Sequence, residues 1–331
     1  LPTIHTYPFN LSRNISQNIS QNISQNISQN ISQNNTLDNT LLMLIRNLTS
    51  EFFIDYYEND TCCNNKVIPT VLMHGVLANK ENMEELKTLL ELNFKIPVYN
   101  IEIGNGAITS LFTSMNSQLE TLCNTIYSMD ELKDGFNFIG MSQGGLLARG
   151  YVEYCNKYPV INLITLVSPN GGVFYKTPSA DNFYKPLQQS TLSISNYWRD
   201  PYQYDLYLSN STYLAQLNQE VMSNSIQDNL DSLHNFIMVW SPLDEVIMPP
   251  ESAKFSLQYV DETDKQVKLL DLVDTYVYKS GCLGLKKLNE ENRLRIFTTN
   301  CTHSQHREPE CFHQLKPLFE EYLLSVNTLF S

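Results

Sequence analysis

Basic residues are scarce in this chain: 22 Lys and Arg stand against 35 Asp and Glu, a formal charge of −13. They form no stripe, so no nucleic-acid partner is expected. No apolar run is long enough to cross a bilayer as a helix. The seven cysteines are not paired with histidines at zinc-ligand spacing, and neither a P-loop nor a dinucleotide-binding glycine fingerprint occurs. A protein working without metal or cofactor is the expectation. What is present is 331 residues with a hydrophobic fraction of 42%, enough for a sizeable core in one large domain or two ordinary ones. The chain opens on Leu1 with no signal-like apolar segment, and earlier removal of a leader is an expectation only.

Residues 1–60 read differently from the rest. Asn14 to Gln33 is Asn-Ile-Ser-Gln repeated without interruption. The period of four puts Ile15, Ile19, Ile23, Ile27 and Ile31 on a slanting helical stripe. Asn, Ser and Ile are mediocre helix formers, so a disordered low-complexity tail is expected, with a partner-binding helix as the alternative. Leu41 to Ile45 offers a short apolar patch for docking on the domain. Asn-x-Ser/Thr sequences recur through the tail and again at Asn59, Asn210 and Asn300. They point to the secretory pathway, where such asparagines are glycosylated on surface loops. The bland alternative is chance in an Asn-rich chain. In an oxidising compartment some of the cysteines would pair.

Phe136 to Arg149, FNFIGMSQGGLLAR, organises the remainder. An apolar, aromatic-rich run ends in Gly-x-Ser-x-Gly and a helical pattern follows. Strand, sharp turn and helix expose a serine hydroxyl at the apex, above a helix N-terminus whose backbone N–H groups can hold an oxyanion. Ser142 is the candidate nucleophile; a plain structural turn is the alternative. Val67 to Met73 reads as a strand ending in His74-Gly75-Val76, the loop expected to supply a second oxyanion donor from the backbone of Val76 beside that of Gln143. His74 itself reads as a turn residue. Val98 to Ile103 and Ile161 to Ser168 read as further strands, and Met83 to Leu92, Ser114 to Tyr127 and residues 143–157 as helices. This alternation implies a parallel sheet with crossovers in an α/β-hydrolase arrangement over residues 61–331.

The alternation breaks over about residues 170–233, a polar, aromatic-rich stretch expected to form a cap. Aromatic caps suit apolar substrates, and Tyr197 and Trp198 are the candidate substrate contacts; packing over the sheet is the alternative. Asn235 to Trp240 reads as a strand, followed by Asp244 in a Pro-bearing turn. Val267 to Tyr278 reads as extended, Arg295 to Thr299 as the last strand and Leu315 to Leu324 as a closing helix. His303 follows that last strand. The order Ser142, Asp244, His303 is that of an α/β-hydrolase triad, with each member just past a strand. Ser142 would attack an acyl carbon, His303 would shuttle the proton, and Asp244 would fix the imidazole tautomer. His306 is the main rival for the base and His313 a weaker one. Asp231, Asp271 and Asp274 are the rivals for the acid.

Four segments carry a resemblance: LMHGVL at 72–77, FIGMSQGGLLARGY at 138–151, SNYWRDPYQYDLYLSNSTYLAQLNQE at 195–220, and PLDEVIMP at 242–249. Through them the chain resembles the palmitoyl-protein thioesterases, lysosomal Ser/Asp/His acyl hydrolases, and looks closer to the lysosomal thioesterase branch, palmitoyl-protein thioesterase 2. The resemblance spans about residues 66–326. It implies a nucleophile at Ser142, an acid at Asp244, a base at His303 and oxyanion donors at Val76 and Gln143. It also implies disulfides between Cys123 and Cys155 and between Cys301 and Cys311, the second across a shorter loop than the family's. Cys62, Cys63 and Cys282 receive no assignment. The implied reaction is hydrolysis of long-chain fatty acyl thioesters, from acyl-CoA or S-acylated protein, in the lysosome or after secretion. A glycan at Asn300 would crowd the catalytic edge, so that sequon is expected to stay unused. Residue logic alone reaches serine acyl hydrolase. It leaves open a general lipase or carboxylesterase acting on oxygen esters, and a catalytically silent hydrolase-fold binding protein.

Overall fold

A computed structural model describes residues 67–175, 180–221 and 230–324. The chain divides into two units, Leu1–Asn64 and Asn65–Ser331; the repeat tail, Cys62 and Cys63 lie outside the described residues. The second unit is built on six parallel strands, β1 (Thr70–Met73), β2 (Val98–Ile101), β3 (Phe136–Met141), β4 (Val160–Leu166), β5 (Asn235–Trp240) and β8 (Leu294–Thr298), in the order β2-β1-β3-β4-β5-β8. A separate antiparallel pair, β6 (Leu257–Val260) and β7 (Val267–Leu270), stands beside them. The helices, in chain order, are α1 (Glu84–Phe94), α2 (Ala107–Phe112), α3 (Met115–Tyr127), α4 (Gln143–Tyr154), α5 (Pro186–Thr191), α6 (Tyr204–Asn210), α7 (Leu214–Leu217), α8 (Tyr276–Lys279), α9 (Leu285–Glu290) and α10 (Pro309–Leu324).

Both faces of the sheet are covered, which is why the strands read as apolar runs rather than as alternating patterns. Period two still sorts the side chains. Val71, Met73, Phe136 and Phe138 join α3, α4 and the 170–233 insertion in one core. Leu72, Ile139 and Met141 point the other way, onto α1 and α10. Near the amino ends of the strands a polar ladder crosses the sheet. Asn235 Nδ2 donates to Asn162 Oδ1 at 2.8 Å, and Asn162 Nδ2 donates to Asn137 Oδ1 at 2.9 Å and to the Tyr322 carbonyl on α10 at 2.8 Å.

The insertion between β4 and β5 holds α5, α6, α7 and short 3₁₀ turns in its described parts. A buried ion pair stiffens it: Arg199 Nη2 lies 2.8 Å from Glu220 Oε1, and Tyr207 donates to the same carboxylate at 2.5 Å.

Some elements differ from expectation. β1 starts at Thr70, because Pro69 has no N–H to give the ladder, although its carbonyl accepts from Asn137 at 2.8 Å. The extended reading of Val267 to Tyr278 holds only to Leu270. Thr275 then caps α8, its hydroxyl accepting from Tyr278 N–H at 3.2 Å, a local bond that competes with a strand. The partner strand β6 and the short helix α2 had no sequence signal strong enough to read. The closing helix begins at Pro309, earlier than its apolar stripe, because proline is pre-shaped for a first helical position.

Candidate active site

Ser142 sits between β3 and α4 at φ 55°, ψ −128°. Its N–H continues the sheet ladder to the Leu166 carbonyl at 2.8 Å, so the strained residue is held from below. The flanking glycines are required by close approach. A Cβ on Gly140 would stand 2.4 Å from the Gly144 carbonyl oxygen, and one on Gly144 would stand 2.4 Å from both the Met73 and His74 carbonyl oxygens. The turn after β1 abuts the serine: a Cβ on Gly75 would lie 2.9 Å from Ser142 Cβ and 3.3 Å from its Oγ. Val76 follows directly. His74 is buried, its Nδ1–H donating to the Gly75 carbonyl at 2.9 Å, and burial holds its pKa below the ordinary value. It is a turn residue, as its position in the sequence suggested.

Asp244 and His303 meet. His303 Nδ1 lies 2.8 Å from Asp244 Oδ2, while Asp244 Oδ1 accepts the N–H groups of Val246 at 2.8 Å and Ile247 at 2.9 Å. The carboxylate therefore has a fixed orientation and one oxygen left for the imidazole. A further contact was not read from the sequence: Glu245 Oε2 accepts the backbone N–H of His303 at 3.1 Å. The Asp-Glu pair thus grips both the ring and the main chain of His303. An acidic residue beside the candidate acid was the available signal. Ser142, Asp244 and His303 are 6, 4 and 8% exposed, so the edge is nearly closed. Among the described residues no hydrogen bond joins Ser142 Oγ to His303.

The rivals are engaged elsewhere. His306 is fully buried. Its Nδ1–H donates to the Thr302 carbonyl at 2.9 Å, and its Nε2 accepts from the Thr299 hydroxyl at 2.8 Å. Burial lowers its pKa. The ring splints the loop that carries His303, and a disulfide between Cys301 and Cys311 closes the same loop. A second disulfide joins Cys123 on α3 to Cys155 just after α4, and Cys282 is free and exposed. His313 is exposed on α10. Asp231 pairs with Lys287 at 2.6 Å, Asp271 with Lys254 at 3.7 Å and Asp274 with Lys279 at 3.2 Å.

Tyr197 and Trp198 are 3 and 2% exposed. Tyr197 donates to the Gln143 side chain at 3.0 Å, and Trp198 stacks on Phe183 with centroids 4.2 Å apart. Two surface depressions, of about 480 and 490 Å³, are lined by other residues, Tyr184 and Gln189 in one, Tyr99 and Glu102 in the other. Among the described residues no cluster of His, Cys, Asp and Glu could hold a metal ion, and no helix is long and apolar enough to cross a membrane.

A parallel sheet with helices on both faces and a strained serine between strand and helix defines an α/β-hydrolase. The family profile described as palmitoyl protein thioesterase matches residues 69–303. Palmitoyl-protein thioesterase 3 of Dictyostelium discoideum is 39% identical over 269 residues, covering 77% of this chain and 91% of its own. Palmitoyl-protein thioesterase 1 of Caenorhabditis elegans is 28% identical, covering 80% and 93%. The lysosomal thioesterase PPT2 homolog of Drosophila melanogaster is 27% identical, covering 75% and 90%. The chain belongs to the palmitoyl-protein thioesterase family.

Proposed function

We propose that the chain hydrolyses long-chain fatty acyl thioesters through an acyl-enzyme on Ser142. The observation that carries the reading is the His303–Asp244 pair at 2.8 Å, at the same carboxyl edge of the sheet as the strained Ser142. With Asp244 holding the proton on Nδ1, His303 Nε2 is free to take the Ser142 proton as Oγ attacks the thioester carbon. The N–H groups of Val76 and Gln143 receive the developing oxyanion; one such donor contributes about 2.7–4 kcal/mol to transition-state stabilisation. The C–S bond breaks and the sulfur departs as a thiolate, a far better leaving group than an alkoxide. It takes the proton from His303 as it leaves and restores the neutral imidazole. Water, deprotonated by His303, then releases the fatty acid and restores Ser142. Nucleophile–base contacts of resting hydrolases often tighten only with substrate bound, consistent with the unpaired Ser142 hydroxyl.

The long acyl chain is supported by exposed apolar side chains that follow the strands toward that edge: Leu77 after β1, Ile108 and Phe112 on α2 after β2, Tyr175 after β4, and Leu243 and Val246 around Asp244. S-acylated protein as substrate and residence in the lysosome are supported by the names of relatives, palmitoyl-protein thioesterase and lysosomal thioesterase, and acyl-CoA offers the same thioester bond. The secretory sequons and two disulfides suit that compartment. The test is labelling by a fluorophosphonate together with turnover of palmitoyl-CoA and of the matching oxygen ester. Labelling of the wild type and not of Ser142→Ala, with preference for the sulfur ester, is expected. Equal labelling of both proteins removes Ser142 as nucleophile, and indifference to sulfur makes the protein a general esterase.

A further inference from the structure

Gln143 is the first residue of α4, and its side chain is held harder than a helix start requires. It is buried, with Nε2 donating to the Ser110 carbonyl at 2.8 Å and Oε1 accepting from the Tyr197 hydroxyl at 3.0 Å. A carbonyl can only accept, so Ser110 decides which end of the amide is which and leaves Oε1 facing the phenol. Ser110 is fixed in turn, its carbonyl also accepting from Gln118 on α3 at 3.1 Å. Tyr197 is anchored through its main chain. Its carbonyl accepts the Val173 N–H at 3.0 Å, and the Val173 carbonyl accepts the Arg199 N–H at 2.9 Å. That short parallel bridge ties the insertion to the chain leaving β4. A continuous set of bonds therefore runs from the insertion through one phenol to the residue whose backbone N–H faces the nascent oxyanion.

We infer that Tyr197 is a positioning residue, orienting the oxyanion donor of Gln143 through its side-chain amide, rather than a substrate contact. The assignment rests on the serine-hydrolase reading above. Its hydroxyl is spent on one acceptor inside the protein, and the residue is 3% exposed, which favours support of the site over contact with an acyl chain. The geometry also dictates the kinetic signature. An oxyanion donor acts only in the transition state, so loosening it lowers kcat and leaves KM alone, whereas loss of a substrate contact raises KM.

The experiment uses the full chain with Tyr197→Phe, Gln143→Leu and the double variant, assayed on palmitoyl-CoA and by the rate of fluorophosphonate labelling. Tyr197→Phe should lower kcat and the labelling rate about tenfold, less than the roughly 10²–10³ lost with a whole oxyanion donor, with KM within about twofold. The double variant should be no slower than Gln143→Leu alone, because the phenol then has nothing to act through. A raised KM at unchanged kcat would make Tyr197 a substrate contact and overturn the inference. Additive losses, or no loss, would overturn it too. If Tyr197→Phe does not fold, Gln143→Leu still decides: a change in KM alone refutes the coupling, and a selective loss in kcat supports it. Wild type that resists labelling at Ser142 fails the hydrolase reading itself, and the assignment falls with it; wild type that labels isolates any failure to the Tyr197–Gln143 bond.

Discussion

Asp244→Asn changes the chemistry of one carboxylate and leaves the turn around it standing. The amide oxygen can keep the N–H groups of Val246 and Ile247, which now approach at 2.8 and 2.9 Å. The amide NH₂ must then face His303 Nδ1 at the 2.8 Å contact, donor against donor. The imidazole escapes by moving its proton to Nε2, which leaves Nδ1 to accept. That tautomer cannot take a proton from Ser142. In other serine hydrolases the same exchange lowers kcat by about 10⁴, or about 5 kcal/mol in barrier at 1.36 kcal/mol per decade. Stability should fall by only about 1–2 kcal/mol, the difference between charged and neutral hydrogen bonds. Steady-state release of CoA from palmitoyl-CoA, with a urea titration on the same sample, separates the two effects. Glu245→Ala is the companion variant: it removes one half-buried contact to the His303 main chain and should cost roughly fivefold, about 1 kcal/mol. A folded Asp244→Asn enzyme within tenfold of wild type, or no slower than Glu245→Ala, would refute the assignment of Asp244 as the orienting acid.

Three further outcomes are expected. Gly144→Ala should yield insoluble protein or lose more than about 3 kcal/mol by urea denaturation, since its methyl would meet two backbone oxygens at 2.4 Å; wild-type stability would contradict the packing described here. Arg199→Met alone should cost about 3–5 kcal/mol by stranding Glu220 in the interior, and Arg199→Met with Glu220→Leu should recover much of it; equal losses would show that the charge itself is not the burden. His74 and His306 are both held below 6.5 by burial. The unfolded chain therefore binds more protons as the pH falls through that value, and folding stability should drop there. His306→Gln should flatten the drop in urea titrations between pH 8 and pH 5, and an unchanged slope would exclude His306 as a contributor.

The parts of this fold legible in sequence are those with local causes. Strand β3, the serine turn and α4 are adjacent in the chain, and their glycines are needed within a few residues of one another. Asp244 and His303 were readable because each follows a strand, and parallel strands bring such positions to one edge. What escaped depends on partners far away. The bond from the Tyr197 hydroxyl to Gln143, 54 residues earlier, escaped for this reason: an aromatic in an insertion says nothing local about its partner. His306 is an exception of another kind: its partners Thr302 and Thr299 are close in sequence, but they meet the ring only once β8 has ended and the chain has curled back, a loop shape that no period marks. Strand β6 and α2 are short and partly exposed, so neither period nor composition marks them, whereas β7 was legible as the start of the extended stretch at Val267.

The asparagine ladder moors the last turns of α10 to the rim of the sheet opposite the serine. An affinity handle or sensor surface attached beyond that helix would grip the molecule by its back. The edge bearing Ser142 lies at the other end of the strands, so such an attachment would leave the serine turn on the side away from the support.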